Sequence, residues 1–202
     1  MLQIVKYPSQ NLRVKSKKVD KIDNFVAVLI SEMETLLKKS PYQGLSAVQV
    51  GVPIRVFLLK IDGEIKHFIN PVIKSRSKYS DKYEESCCSL QVIHSQIRKT
   101  TQRFSICRRD KVTIEYRDLD WNKKTLSAEL ELGALVQHEM EHLDGKLCID
   151  NFSSYGQDVI YRRLVHGRGN IAWDDYAEEY YFLDKIDNDA FGPQYFDRKK
   201  FY

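Results

Sequence analysis

Between positions 22 and 37 the apolar residues Ile22, Phe25, Val26, Leu29, Met33, Leu36 and Leu37 recur at intervals of three and four, which predicts a helix with one buried face. Asp20 is the expected N-cap, and Pro41 the residue that stops the helix from continuing. Residues 54–59 read as a strand, Asp62-Gly63 as a turn, and residues 66–70 as the hairpin partner, ending at Pro71. Residues 112–116 and 125–130 alternate like two more paired strands around Asp120-Trp121-Asn122. Helical spacing returns at 132–143, with Gly145 placed to end it, and a last helix is expected at 157–165. Helix, strands and helix in that order predict an α+β fold: one domain of antiparallel strands packed around a central helix, with further helices at either end.

A length of 202 residues suits one core, and 43% hydrophobic with 30% charged content is that of an ordinary globular protein. The domain is expected to span residues 1–165, followed by a C-terminal extension over 166–202. That extension is acidic, with eight acidic residues against four basic from Asn170 onward, and it carries ten aromatics. Such a tail is too aromatic for a merely solvating segment and is expected to pack on the domain or on a second chain. No run of about 18 apolar residues is present and the N-terminus lacks the pattern of a signal peptide, so the expectation is a cytoplasmic protein with no membrane partner. Four cysteines, Cys87, Cys88, Cys107 and Cys148, are too few and too oddly spaced for a disulfide framework. Residues 94–124 hold nine basic against four acidic residues. That stretch has few aromatics for stacking and is partly strand, so no specific nucleic-acid binding is expected.

The chemistry enters at His138-Glu139-Met140-Glu141-His142, an HExxH pattern on the segment already read as helix. Residues four apart share a helical face, so both imidazoles can reach one ion, while Glu139 can reach a water beside it. A polar helix face carrying two unrelated histidines is the bland alternative. Two histidines do not complete a catalytic metal site, and two cysteines compete for the third place. Cys148 sits where the longer pattern HExxHxxGxxH would put its last ligand, although Leu147 and Ile149 beside it favour a small buried side chain. Cys87 lies far upstream. Spacing alone leaves the choice open.

Three segments together are similar to the motifs of the peptide deformylases, in that family's order: Gly44-Leu45-Ser46-Ala47-Val48-Gln49, Glu85-Ser86-Cys87-Cys88-Ser89, and Gln137 to Gly145. Tyr7-Pro8, Leu12-Arg13 and the run from Lys111 to Asp150 extend the likeness over roughly residues 1–165. The resemblance implies that Cys87, His138 and His142 hold one divalent transition-metal ion, Fe2+ in the cell, with Zn2+, Ni2+ or Co2+ as other occupants. It implies that Glu139 is general base and then acid, and that the Gln49 side chain and the Cys88 backbone N–H stabilise charge on the substrate oxygen. Gly44 and Leu45 would meet the substrate, Gly44 by letting backbone approach closely. The implied reaction removes formate from N-formylmethionine, with the N-termini of nascent peptides, and the ribosome that delivers them, as partners.

The chain also departs from the family pattern. Tyr42 stands where the first motif usually has Gly, Ser46 where it has Ala, and Ser86 and Cys88 where the second motif has Gly and Leu. Glu141 replaces an Asp. Ser86 is tolerable only at an ordinary φ. The stretch from Gln91 to Asp110 lacks the usual Pro and is longer, and its Arg98, Lys99, Arg103, Arg108 and Arg109 are expected to loop outward as a basic rim, being costly to bury. A metal-binding relative that has lost or changed its substrate, and a zinc protease using Cys148, are the alternatives to a deformylase.

Overall fold

A computed structural model describes residues 2–91 and 103–166. The elements run α1 (Asn24–Lys38), β1 (Gly44–Ser46), β2 (Val56–Ile61), β3 (Glu64–Arg76), β4 (Ser80–Glu85), β5 (Phe104–Arg109), β6 (Lys111–Arg117), β7 (Lys123–Glu129), α2 (Leu130–Leu143) and α3 (Ser154–His166). Short 3-10 turns at Ala47–Val50 and Cys148–Asn151 follow β1 and α2. Five strands form one sheet in the order β1-β2-β3-β6-β7, and β4-β5 form a second, with every pairing antiparallel. This is the expected α+β architecture. The extension beyond residue 166 lies outside the described residues. No helix among those described is long and apolar enough to cross a membrane.

Helix α1 starts one turn later than the expected Asp20 cap, because Asp23 accepts the Val26 N–H at 2.9 Å. Ile22 packs on the core from the turn before the helix, which drew the apolar pattern too far upstream. The core stripe is Val26, Leu29, Ile30, Met33 and Leu37, and Phe25, one position off that stripe, is 60% exposed. Strand β3 does not end at Pro71 but runs on to Arg76. Asn70 at φ 51° and a register shift between Ile69 and Val72 place the proline at a bulge, where its missing N–H breaks no ladder bond. The Asn70 side chain accepts the Val19 N–H at 2.8 Å and donates to the Val19 carbonyl at 2.6 Å, fixing the segment ahead of α1 on the sheet.

The stretch expected as a purely outward loop contains strand β5, whose Phe104, Ile106 and Arg108 are buried. Arg98 and Lys99 lie outside the described residues, and Arg103 is exposed. The buried Arg108 therefore does not belong to a basic rim. Strand β4, Ser80–Glu85, shows no apolar alternation by which it could be recognised, and it forms by pairing with β5 along its whole length.

Helix α2 carries the HExxH pattern and is buried along most of its length, against β1, β5, β6 and β7. Gly145 ends it at φ +73°, and a Cβ there would stand 2.8 Å from the Arg13 carbonyl carbon, so both the turn and its neighbour need glycine.

Candidate metal centre

Three elements converge at the middle of α2. The helix brings His138 and His142 to one face. The turn after β4 brings Cys87 and Cys88. The segment from β1 through its 3-10 turn brings Gly44, Leu45, Ser46 and Gln49. Ser86, inside the second motif, is not among the residues with positive φ, so its side chain costs no backbone strain there.

Cys87, His138 and His142 are all buried, and one ligand atom from each falls within 4.8 Å of the others. The His142 Nε2 lies 3.3 Å from the Cys87 Sγ and 3.1 Å from the His138 Nε2. Tetrahedral bonds of the usual length would separate such atoms by about 3.3–3.6 Å. Burial alone would raise the Cys87 pKa, but the Cys88 thiol and the two imidazoles outweigh it and hold the thiol well below its ordinary value. One thiolate with two imidazoles is a donor set that suits a divalent transition metal, so the residues present fit such an ion.

Cys148, the other contender, is buried between Leu147 and Ile149, and burial pushes its thiol well up. Its sulfur does approach Glu85 and His138, but among the described residues it shares no cluster with both histidines. The apolar setting of its neighbours already pointed to a packing role.

The ring of His138 is held from behind. Its Nδ1 is 2.8 Å from Glu85, and Glu85 in turn accepts from Arg108 Nε at 2.6 Å and Nη2 at 3.0 Å. The other side of the Arg108 guanidinium meets Glu141, with Nη1 to Oε1 at 2.6 Å and Nη2 to Oε2 at 2.9 Å. Two carboxylates thus neutralise a cation that is only 4% exposed, which answers why Arg108 can be buried. The longer side chain of Glu141 still completes this contact. Arg108 is the site-region residue that sequence reasoning missed, and the Phe104, Ile106, Arg108 alternation within β5 was its available signal. No comparable partner orients His142, whose Nδ1 is buried without a hydrogen bond among the described residues.

Glu139 follows His138 on α2 and is buried, with its carboxylate against Ser46 and Gly44. Burial raises its pKa, the direction that suits a carboxyl that both takes and returns a proton. The Ser46 hydroxyl donates to its Oε2 at 2.5 Å, an interaction that an alanine at position 46 would not make. Gly44 has a further use beside the expected one. An added Cβ would strike the Glu139 carboxylate and stand 2.9 Å from its Cδ, so glycine leaves the room this side chain occupies. Leu45 is buried in the core cluster around α1.

The Gln49 amide is oriented by its own turn. The Ser46 N–H donates to Gln49 Oε1 at 2.8 Å, which leaves the Nε2 facing the Cys87 Sγ at 3.3 Å and the Cys88 Sγ at 3.3 Å. Cys88 is buried, and its thiol is pushed well up by the neighbouring Cys87 sulfur and by burial.

Known proteins resemble this chain over most of its length. The family model of the polypeptide deformylases matches residues 1–158. The peptide deformylase of Pelagibacter ubique is 32% identical over 172 residues, covering 83% of this chain and 95% of that protein. That of Treponema pallidum is 31% identical over 160 residues, covering 79% and 93%. Among solved structures, the peptide deformylase of Ehrlichia chaffeensis in complex with actinonin superposes with a TM-score of 0.72 at 27% identity, covering 81% of this chain and 95% of that one. The enzyme from Legionella pneumophila gives 0.73 at 28%, covering 81% and 93%. With a family match across most of its length and relatives above 30% identity, the chain belongs to the peptide deformylase family and is an enzyme of that kind.

Proposed function

We propose that the protein removes the formyl group from N-formylmethionine at the start of nascent polypeptides, with Cys87, His138 and His142 holding one divalent transition-metal ion. The observation that carries this reading is the grouping of those three buried ligand atoms, with the Gln49 amide against Cys87 and His142 and the Glu139 carboxyl joined to the Gln49 turn through Ser46. A bound ion would supply Lewis acidity, polarising the formyl carbonyl and lowering the pKa of water. Fe2+ is the proposed ion in the cell.

The remaining work falls to the chain itself. Glu139, steadied by Ser46, takes a proton from the attacking water and returns it to the departing amine. The Gln49 Nε2 and the Cys88 N–H aim at the formyl oxygen, where negative charge develops. Glu85, backed by Arg108, fixes the tautomer and orientation of His138. Leu45 and Gly44 lie along the substrate's approach, and the proposed partners are formyl-Met N-termini at the ribosome in the cytoplasm.

The test pairs formyl-Met and acetyl-Met peptides of one sequence, with protein loaded anaerobically with Fe2+. Formate released from the first, with the second left intact, supports the reading. Equal turnover of both, or of neither, overturns it.

A further inference from the structure

The segment Val5–Tyr7 is bonded to the backbone of both residues that supply the proposed oxygen-stabilising groups. The Val5 N–H donates to the Gln49 carbonyl at 2.8 Å, and the Tyr7 N–H to the Ser89 carbonyl at 2.9 Å. Between them, the Lys6 Nζ donates to the Cys88 carbonyl at 2.8 Å and to the Gln91 Oε1 at 2.5 Å. The Gln91 Nε2 passes the contact on, donating to the Tyr42 hydroxyl at 2.5 Å. Tyr42 is one of the positions at which this chain departs from its family's pattern, and its hydroxyl closes this hydrogen-bonded cluster. Lys6, Tyr42 and Gln91 stand around a cavity of about 270 Å³ that also reaches Gly44, Leu45 and Cys88.

Three consecutive carbonyls in the turn after β4 are anchored. Cys87 O is taken by the Leu90 N–H at 3.1 Å, Ser89 O by Tyr7, and Cys88 O by the Lys6 ammonium. Of the three, only the middle anchor is a side chain. Remove it, and the peptide between Cys88 and Ser89 can rotate, and the Cys88 N–H beside it loses its aim. A donor to developing charge works only when placed to a fraction of an ångström.

We infer that Lys6 is a positioning residue of the deformylase reaction, holding the peptide between Cys88 and Ser89 so that the adjoining Cys88 N–H keeps its direction toward the substrate oxygen. The inference rests on the proposed function, because it takes the Cys88 N–H as a stabilising donor. A group that acts through transition-state stabilisation alters kcat and leaves KM nearly alone. A lysine that instead bound the substrate's own charge would alter KM.

The experiment compares wild type, Lys6→Met and Lys6→Arg, each loaded with Fe2+ and checked for metal content, by steady-state formate release and by amide hydrogen exchange over residues 87–91. The expected result for Lys6→Met is a fall of roughly 10–100-fold in kcat with KM within about twofold. Exchange in the turn should be faster and metal content unchanged, and Lys6→Arg should recover most of the loss. Gln91→Leu, which removes one of the two Lys6 acceptors, should shift both readouts the same way by a smaller amount, and it replaces Lys6→Met if that variant does not fold. A raised KM at unchanged kcat overturns the inference, as does a Lys6→Met protein equal to wild type in rate and exchange. Wild-type protein that releases no formate refutes the proposed function instead. In that case the exchange arm still judges the anchor: faster exchange in Lys6→Met upholds it, and unchanged exchange overturns it.

Discussion

The Nδ1 of His138 stands 2.8 Å from a carboxylate oxygen of Glu85, so a residue of α2 takes its orientation from strand β4. Carboxylates placed behind ligating imidazoles fix the tautomer and raise basicity. Glu85→Gln should therefore weaken metal affinity by about 10–100-fold. Competition against a chelator of known affinity reads the change, and an affinity equal to wild type would show that the Glu85 contact is idle.

Glu85 also sets an acid sensitivity. Burial pushes its carboxyl up, but hydrogen bonds from Arg108 and His138 outweigh that and hold it below its ordinary 4.5. A carboxyl depressed in the folded state adds stability above its unfolded pKa and loses it as pH falls through the lower folded value. Denaturant midpoints measured from pH 7 down to pH 3 should fall more steeply in wild type than in Glu85→Gln. Parallel curves would contradict this assignment.

The two contending cysteines separate cleanly by metal analysis. Cys87→Ala should lose the ion, because a thiolate ligand disappears. Cys148→Ala should keep full stoichiometry and cost about 1 kcal/mol of stability, a typical loss for a small buried side chain. Loss of metal in Cys148→Ala alone would move the site away from Cys87.

Gly44→Ala tests the space beside Glu139. The new methyl would collide with the Glu139 carboxylate and press on Leu59 at 3.0 Å. Metal content should be unchanged while kcat falls by an order of magnitude or more, about what a misplaced catalytic group costs. Near wild-type turnover would mean that Glu139 works from another position.

Much of this was legible in the chain. The 3-4 spacing around His138 and His142 placed both on one helical face, and α2 forms there. The three motif segments, far apart in sequence, named the residues that the fold brings together. Other parts were not legible, for physical reasons. Strand β4 has too few apolar residues to alternate, and its pairing with β5 reaches across the intervening segment. Pro71 read as a terminator because a bulge is a property of two strands, not one. Arg108 read as surface because the carboxylates that neutralise it sit 23 and 33 residues away in sequence. The second use of Gly44, making room for Glu139, depends on a side chain 95 positions later and has no local signal.

The most direct test of the central claim removes the proton carrier while leaving the ligands. Glu139→Ala keeps Cys87, His138 and His142, so it should bind the ion at wild-type stoichiometry. Formate release from formyl-Met peptides, measured on wild type and Glu139→Ala at equal, verified metal content, should be clear in the first and nearly absent in the second. Turnover by Glu139→Ala close to that of wild type would contradict the account.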